Sequence, residues 1–186
     1  MFNLLITLII IQRFLELVIA KRNEISMKQR GGIEVGKEHY KYIVAVHILF
    51  FVTLIGEVMI LQKEPTPFWP HLIILFLLTQ LGRIWVISSL GTFWNTKIII
   101  LPKEKVIAKG PYRFLKHPNY LIVSLEFIII PLLFQAYVTL FLFSLLNMLV
   151  LSIRIPFEEK ALSELTEYEK TFSTHKRLFP IKTKRI

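Results

Sequence analysis

The sequence contains no cysteine, which excludes disulfides, thiolate metal sites and a cysteine nucleophile. It has no G-x-G-x-x-G run, so the glycine-rich turn that cradles a nucleotide in soluble α/β folds is missing. His39, His47, His71, His117 and His175 are scattered and never pair at metal-ligand spacing, so no metal site is expected. No internal repeat, low-complexity tract or glycine-rich linker divides the chain, and 1–186 reads as a single domain. The apolar stretch Met1–Ala20 lacks a basic segment before it and a small-x-small cleavage site after it, so it reads as a retained span rather than a cleaved signal.

What the sequence has in excess is apolar surface. Hydrophobic residues make up 54% of the 186, with a mean hydropathy of +0.56, beyond what a soluble core of this size hides. A helix needs about 20 mainly apolar residues to cross the hydrocarbon. Phe2–Ala20, Tyr42–Leu61 and Trp69–Leu90 meet that length. After the polar segment Thr92–Asn119, the apolar run Tyr120–Ile155 is too long for one span, and a tight turn around Phe134–Tyr137 predicts a helical hairpin. The expected fold is an all-α integral membrane protein of about five transmembrane helices, the last two forming the hairpin.

The net charge of +10 raises the question of a nucleic-acid partner. The basic residues, however, cluster between the apolar runs and form no single stripe, so no nucleic acid is expected. Lys21, Arg22, Lys28, Arg30, Lys37 and Lys41 follow the first run; Lys97, Lys103, Lys105, Lys109, Arg113 and Lys116 follow the third; Lys160, Lys170, Lys176, Arg177, Lys182, Lys184 and Arg185 follow the fifth. The loop after the second run has only Lys63. Lys and Arg in short loops favour the cytoplasm, so the N-terminus is expected outside and the C-terminus inside. Phe157, Ala161, Leu165, Tyr168 and Phe172 recur at helical spacing, and Pro156 suits a helix opening, predicting a separate amphipathic C-terminal cytoplasmic helix that lies on the membrane surface or folds back over the bundle. Span surfaces suited to lipid and to a second copy look alike, so no oligomeric state is read from them.

Ionisable groups within spans are costly and face a protein interior or a wet cavity. Arg13 and Glu16 share a face of the first span, His47 and Glu57 lie in the second, Gln80 and Arg83 in the third, and Glu126 in the fourth. Interhelical pairing that only locks the bundle explains such residues equally well, and Arg83 is close enough to the cytoplasmic end to snorkel. Arg83 and Glu126 are retained as candidate substrate contacts.

The stretch Val106–Tyr120 packs Gly110-Pro111, His117-Pro118, two tyrosines and several basic residues against the start of a span. Gly110-Pro111 predicts a turn and Pro118 a helix opening, where backbone N–H groups and nearby cations suit an anion. An interfacial anchor of Tyr and Arg is the plainer alternative. Arg154, Glu158 and Glu159 end the fifth span; taken alone they cap a helix, but the hairpin would return them to His117.

Together the two clusters resemble a known family. Gly110-Pro111-Tyr112-Arg113, then Lys116-His117-Pro118-Asn119-Tyr120, then Arg154 and Glu158-Glu159 followed by Leu162 are similar to the isoprenylcysteine carboxyl methyltransferase pattern. That pattern runs G-x-Y-x-x-x-R-H-P-x-Y-x-G, a hairpin, R-x-x-x-E-E-x-x-L and a tyrosine-rich tail, matched by Tyr168 and Arg177-Leu178-Phe179-Pro180. Lys116 replaces the family's Arg, keeping the charge and losing a bidentate fork, and Ile122 stands where Gly is common. Arg13, Glu16, Arg22-Asn23, Gly31-Gly32-Ile33-Glu34 and His39 resemble a bacterial branch that includes enzymes methylating lipid-like hydroxyls such as alkylpyrones.

The resemblance implies a membrane methyltransferase using S-adenosyl-L-methionine, with its methyltransferase-like region over 92–186. It implies that Tyr112, His117, Pro118, Tyr120 and one or both of Glu158 and Glu159 bind the cofactor, and that Arg154 is the catalytic residue beside the acceptor oxygen. The expected acceptor is a lipophilic carboxyl or acidic hydroxyl compound drawn from membrane lipid. A phospholipid N-methyltransferase, an NADPH-dependent membrane reductase and a non-enzymatic scaffold are the alternatives, separated by an amine acceptor, by NADPH binding, and by indifference to loss of Glu159.

Overall fold

The structure is a computed structural model, and it describes residues 2–172. Six helices dominate: α1 (Phe2–Gln29), α2 (Lys37–Ile60), α3 (Trp69–Leu90), α4 (Pro118–Leu133), α5 (Tyr137–Leu165) and the short α6 (Tyr168–Phe172). Four of them, α1, α2, α3 and α5, are long and apolar enough to cross a membrane, whereas α4 is an apolar helix of 16 residues. At 1.5 Å per residue α4 extends about 24 Å, short of the ~30 Å hydrocarbon core. Four of the five expected spans are thus helices long enough to cross, and the remaining one, α4, is a shorter apolar helix joined to α5 in the hairpin.

The apolar surface is distributed as lipid requires. Val52, Leu81, Ile84 and Phe141 stand between 61% and 72% exposed on the outside of the bundle. Inside, the Phe50 and Phe127 rings stack at 4.4 Å, and Phe143 meets Phe50 edge-on at 5.6 Å. Leu54, Leu133 and Phe134 close around them and are fully buried. Helices that are apolar all round and bury only their narrow facing stripe are the expected outcome in hydrocarbon.

Apart from α2, which starts at Lys37 rather than Tyr42 and so carries Lys37 and Lys41 on helix, three features differ from the sequence reading. Helix α1 continues past Ala20 to Gln29, so Lys21, Arg22 and Lys28 sit on helix rather than loop; its 28 residues reach beyond the hydrocarbon, where charged side chains are solvated. The separate C-terminal amphipathic helix does not start at Pro156: α5 runs unbroken from Tyr137 to Leu165 with Pro156 inside it. Proline removes one intrahelical bond, here to the carbonyl of the exposed Ser152, on the side where the freed oxygen is not sealed in the bundle. The amphipathic repeat then divides at a bend, and Tyr168 and Phe172 are buried on α6. The reading of Arg177–Pro180 and the terminal basic cluster falls outside the described residues.

The third difference is a two-stranded antiparallel ribbon that interrupts the all-helical expectation. Strand β1 (Ile33–Val35) pairs with β2 (Ile98–Ile100), placing Ile33 opposite Ile100 and Val35 opposite Ile98. The β-branched run Ile98–Ile100 is wholly buried, against Ala161 and Leu162 of α5 and Met27 of α1. The ribbon ties the α1–α2 connection to the α3–α4 connection. It gathers the end of α1, the start of α2 and the later turns of α5 at one end of the bundle.

At the other end Glu57 has a structural task. Its carboxylate accepts from the Val138 and Thr139 amides at 3.2 and 2.8 Å and from the Thr139 hydroxyl at 2.7 Å. Those are orphan donors of the first turn of α5, and a carboxylate there also opposes the helix dipole. Glu57→Ala is expected to lower stability by about 1–2 kcal/mol, read as an earlier midpoint in detergent-mixture unfolding; an unchanged midpoint would show that water serves those amides equally well.

Candidate functional site

Two polar assemblies lie along α4. The first is buried among α1, α3 and α4. Arg13 donates to Glu16 at 2.6 Å and to Glu126 at 2.5 Å, while Arg83 donates to Glu16 at 3.3 Å and also to Glu126. Gln12 bridges Glu16 and Gln80 at 2.9 and 2.7 Å, and Gln80 donates to Glu126 at 2.8 Å. Two guanidinium groups face two carboxylates, so the assembly is neutral as a unit. The Arg83 side chain is 3% exposed; it is an interior residue and does not snorkel to the interface.

The second assembly is where the two sequence clusters meet. Pro118 opens α4 with His117 as its N-cap residue, because proline at the first helical position gives up only an amide that has no partner anyway. The hairpin turn lets α5 run back along α4. His117 Nε2 lies 3.1 Å from Glu159 Oε1, and the Tyr120 hydroxyl donates to Glu158 Oε2. Arg154 Nε donates to the Tyr120 hydroxyl at 2.6 Å, and an Arg154 terminal amine donates to the Thr96 carbonyl at 2.7 Å. The His117 and Tyr120 rings stack at 5.4 Å. Arg154, Tyr120 and Glu158 thus form one hydrogen-bonded chain that starts at the Thr96 carbonyl, and the His117–Glu159 pair lies beside it across the stacked rings.

Gly110 positions the remaining motif residues. Its φ is +58°, a left-handed conformation that favours glycine, and an added Cβ would lie 2.1 Å from the Ser89 hydroxyl. That close approach seats the 3-10 turn Gly110–Arg113 on α3 and buries Tyr112 against Ala20, Val86, Trp94 and Ile122. Burial, reinforced by the nearby Glu158 carboxylate, pushes the Tyr112 phenol well up, so it stays protonated. Ile122, where the family favours Gly, fills the space over Gly82 on α3 and carries this packing. Lys116, in place of the family's Arg, sets its ammonium 5.5 Å from the centre of the Tyr168 ring.

A cavity of about 600 Å³ joins the two assemblies, within the ~300–1,000 Å³ usual for small-molecule sites. At one end it is lined by Tyr112, His117, Asn119, Tyr120, Arg154, Glu158, Tyr168 and Phe172. It then passes Asn147 and reaches Arg13, Glu16, His47 and Arg83, with Phe14 and Leu17 of α1 facing Val44 and Ile48 of α2 along its apolar side. Phe14, Leu17, Val44 and Ile48 are also exposed on the outer surface of the bundle, so the cavity walls continue into the lipid-facing seam. Glu159 is 4% exposed and turned into the packing beside His117, whereas the Glu158 side chain is 25% exposed and faces the cavity. Pro118 is buried and shapes the helix opening.

Sequence reasoning singled out His117, Tyr120, Arg154, Glu158 and Glu159, and the fold brings these together. Arg83 and Glu126 lie in the deeper ion network. Three residues were not foreseen. Tyr40 hydrogen-bonds the Thr96 hydroxyl at 3.1 Å, Thr96 holds Arg154, and Asn147 donates to Ser124 at 2.9 Å while lining the cavity. Asn147, polar in the middle of an apolar span, was a signal available in the sequence; Thr96 acts through its carbonyl, which no side-chain pattern reveals. Lys97 beside it is held charged by its hydrogen bond to Glu24.

The lining suits a sulfonium amino-acid nucleoside. Glu158 brings negative charge to a cavity that would hold a cation, and Tyr112, Tyr168 and Phe172 offer flat apolar walls. Asn119 Oδ1 and Trp94 Nε1, buried without a hydrogen-bond partner among the described residues, offer an acceptor and a donor at the same wall.

The family model of the isoprenylcysteine carboxyl methyltransferase (ICMT) family matches residues 72–164, from α3 to the last turn of α5. An uncharacterized protein of Bacillus subtilis (strain 168), YpbQ, is 49% identical over 164 residues, covering 88% of this chain and 98% of the relative. An uncharacterized protein of Haemophilus influenzae is 30% identical over 166 residues, covering 88% of this chain and 95% of the relative.

The neutrality of the inner network sets an asymmetric expectation. Glu126→Gln strands a positive charge and is expected to cost about 3–5 kcal/mol, whereas the double variant Arg83→Met, Glu126→Leu removes a balanced pair and costs far less. Detergent-mixture unfolding of both variants checks this. Equal losses would mean that packing volume, not charge balance, governs the cluster.

Proposed function

The chain belongs to the isoprenylcysteine carboxyl methyltransferase family, and from that premise we propose that it is an S-adenosyl-L-methionine-dependent O-methyltransferase. Its acceptor is a lipophilic compound with a carboxyl or acidic hydroxyl group, isoprenylcysteine-like or alkylpyrone-like, that enters from the bilayer. One observation carries the reading: His117, Tyr120, Arg154 and Glu158 line one end of a cavity whose other walls are the exposed apolar faces of α1 and α2. A polar end fits a charged cofactor, and an apolar seam fits a hydrocarbon tail.

When bound, the cofactor supplies a methyl group already activated on a sulfonium. The protein's work is then alignment, which is worth roughly 7–11 kcal/mol at best. His117, anchored by Glu159, and Tyr112 hold the cofactor, with Pro118 fixing the helix opening that carries His117. Arg154, braced by the Thr96 carbonyl and the Tyr120 hydroxyl, orients the reacting oxygen of the acceptor as the catalytic residue. Buried apolar walls exclude water, which would otherwise compete as acceptor. The region 92–186 carries the chemistry, and the placement of basic residues supports a C-terminus and a site facing the cytoplasm.

Calorimetric titration of S-adenosylhomocysteine into the detergent-purified protein tests the reading. Saturable binding is expected, weakened at least tenfold by His117→Ala and by Glu159→Ala, and retained in Arg154→Ala while methyl transfer to extracted lipid falls. Folded protein that ignores S-adenosylhomocysteine and binds NADPH would make it a reductase. Transfer to phospholipid amines would make it an N-methyltransferase, and binding of neither cofactor would leave a scaffold.

A further inference from the structure

The Tyr120 hydroxyl is committed on two sides. Arg154 Nε donates to it at 2.6 Å, and it donates to Glu158 Oε2. All three side chains line the cavity, and a phenolic oxygen retains capacity for a further incoming donor. Methylating a carboxylate releases no proton, whereas methylating a hydroxyl releases one, and in an apolar cavity that proton needs a prepared acceptor.

We propose that Tyr120 and Glu158 form a proton relay that takes the hydroxyl proton of the acceptor as the new O–methyl bond forms. The inference rests on the methyltransferase reading given above. The acceptor O–H donates to the Tyr120 oxygen. As its electron pair forms the bond to the methyl carbon, the carbon–sulfur bond of the sulfonium donor breaks and its pair stays on sulfur. The acceptor's proton passes to the Tyr120 oxygen, and the Tyr120 proton passes to the Glu158 carboxylate. With a quarter of its side chain exposed, Glu158 then returns the proton to solvent. Tyr120 is unchanged at the end of the cycle.

The groups around Glu158 suit this route. Arg154, on the same helix, remains a cation and cannot accept. His117, from the opening of α4, has Nδ1 4.0 Å from Glu158, beyond hydrogen-bond distance, and its Nε2 is paired with Glu159. Tyr112, from the 3-10 turn, is held protonated by burial. Tyr40, from α2, is engaged with Thr96. The two adjacent carboxylates therefore divide their work: Glu159 anchors an imidazole, and Glu158 receives a proton.

The test uses full-length protein in detergent, labelled S-adenosyl-L-methionine and a series of dodecyl phenols whose hydroxyl acidity is graded by ring nitro and halogen substituents. In the wild type, methyl transfer should depend weakly on acidity. In Tyr120→Phe and Glu158→Gln, the least acidic phenols should lose about 10²–10⁴-fold, while the most acidic, already ionised at the assay pH, lose less than tenfold. S-adenosylhomocysteine affinity should stay within about threefold in both variants. A uniform loss across the series, or no transfer to any phenol by wild type that binds S-adenosylhomocysteine, overturns the relay alone. Loss of S-adenosylhomocysteine affinity in either variant also overturns it, by placing Glu158 on the cofactor. Wild type that fails to bind S-adenosylhomocysteine removes the methyltransferase reading itself.

Discussion

The constraint on which the rest depends is the charge balance of Arg13, Glu16, Arg83 and Glu126 inside the bundle. No water reaches hydrocarbon to solvate an unpaired ion, so each charge must find its partner on another helix or the helix does not settle there. Helix α1 meets the bundle through apolar contacts near Phe2, which packs on Phe134 at 4.7 Å, and through the turn Gly91–Phe93 and β2 near its other end. Between those ends it is held by Arg13 and Glu16. That arrangement leaves Phe14 and Leu17 free to face α2 across the cavity instead of closing on it. A polar clamp in mid-span permits an apolar seam beside it, which continuous apolar packing would have filled.

Helix α4 conveys that constraint to the site. Glu126 takes the guanidinium groups of two other helices, and Tyr120, six residues earlier, takes Arg154 of a third. About 9 Å of helix separates the two positions. Gly110 allows the Tyr112 turn to press closely on α3, and Ile122 of α4 packs over Gly82. The ribbon of β1 and β2 and the Asn23 side chain, which donates to the Gly91 and Trp94 carbonyls at 3.1 and 2.7 Å, fasten the same end. The residues proposed for chemistry are therefore supported by buried, directional contacts on every side, as alignment of two reactants requires.

How far the fold was legible varied from element to element for physical reasons. Helix α3 begins and ends where the apolar run predicts, Trp69 and Leu90, because a turn precedes it and Gly91 ends it. The hairpin turn and the His117-Pro118 opening were legible because proline and a short polar break act locally. The ribbon was not, because Ile98–Ile100 among apolar spans is indistinguishable from helix until a partner strand supplies its hydrogen bonds. Pro156 misled because its cost depends on what surrounds the freed Ser152 carbonyl. The polar residues within spans were legible as exceptions, but not as partners: Glu57 turned out to cap α5, and Arg83 to answer Glu126 and Glu16.

The sequence by itself determined that the protein is a bundle of membrane helices, which residues are too polar for the lipid, and which motif residues belong to one family. Those properties follow from local composition and from the high cost of apolar surface in water and of charge in hydrocarbon. Only the tertiary structure decided that Glu158 faces the cavity while Glu159 holds His117, that Tyr120 stands between Arg154 and Glu158, and that the cavity opens toward the α1–α2 seam. Neighbours in sequence point about 100° apart around a helix, so the role of each carboxylate is settled by which side chains the packing of other helices brings to it.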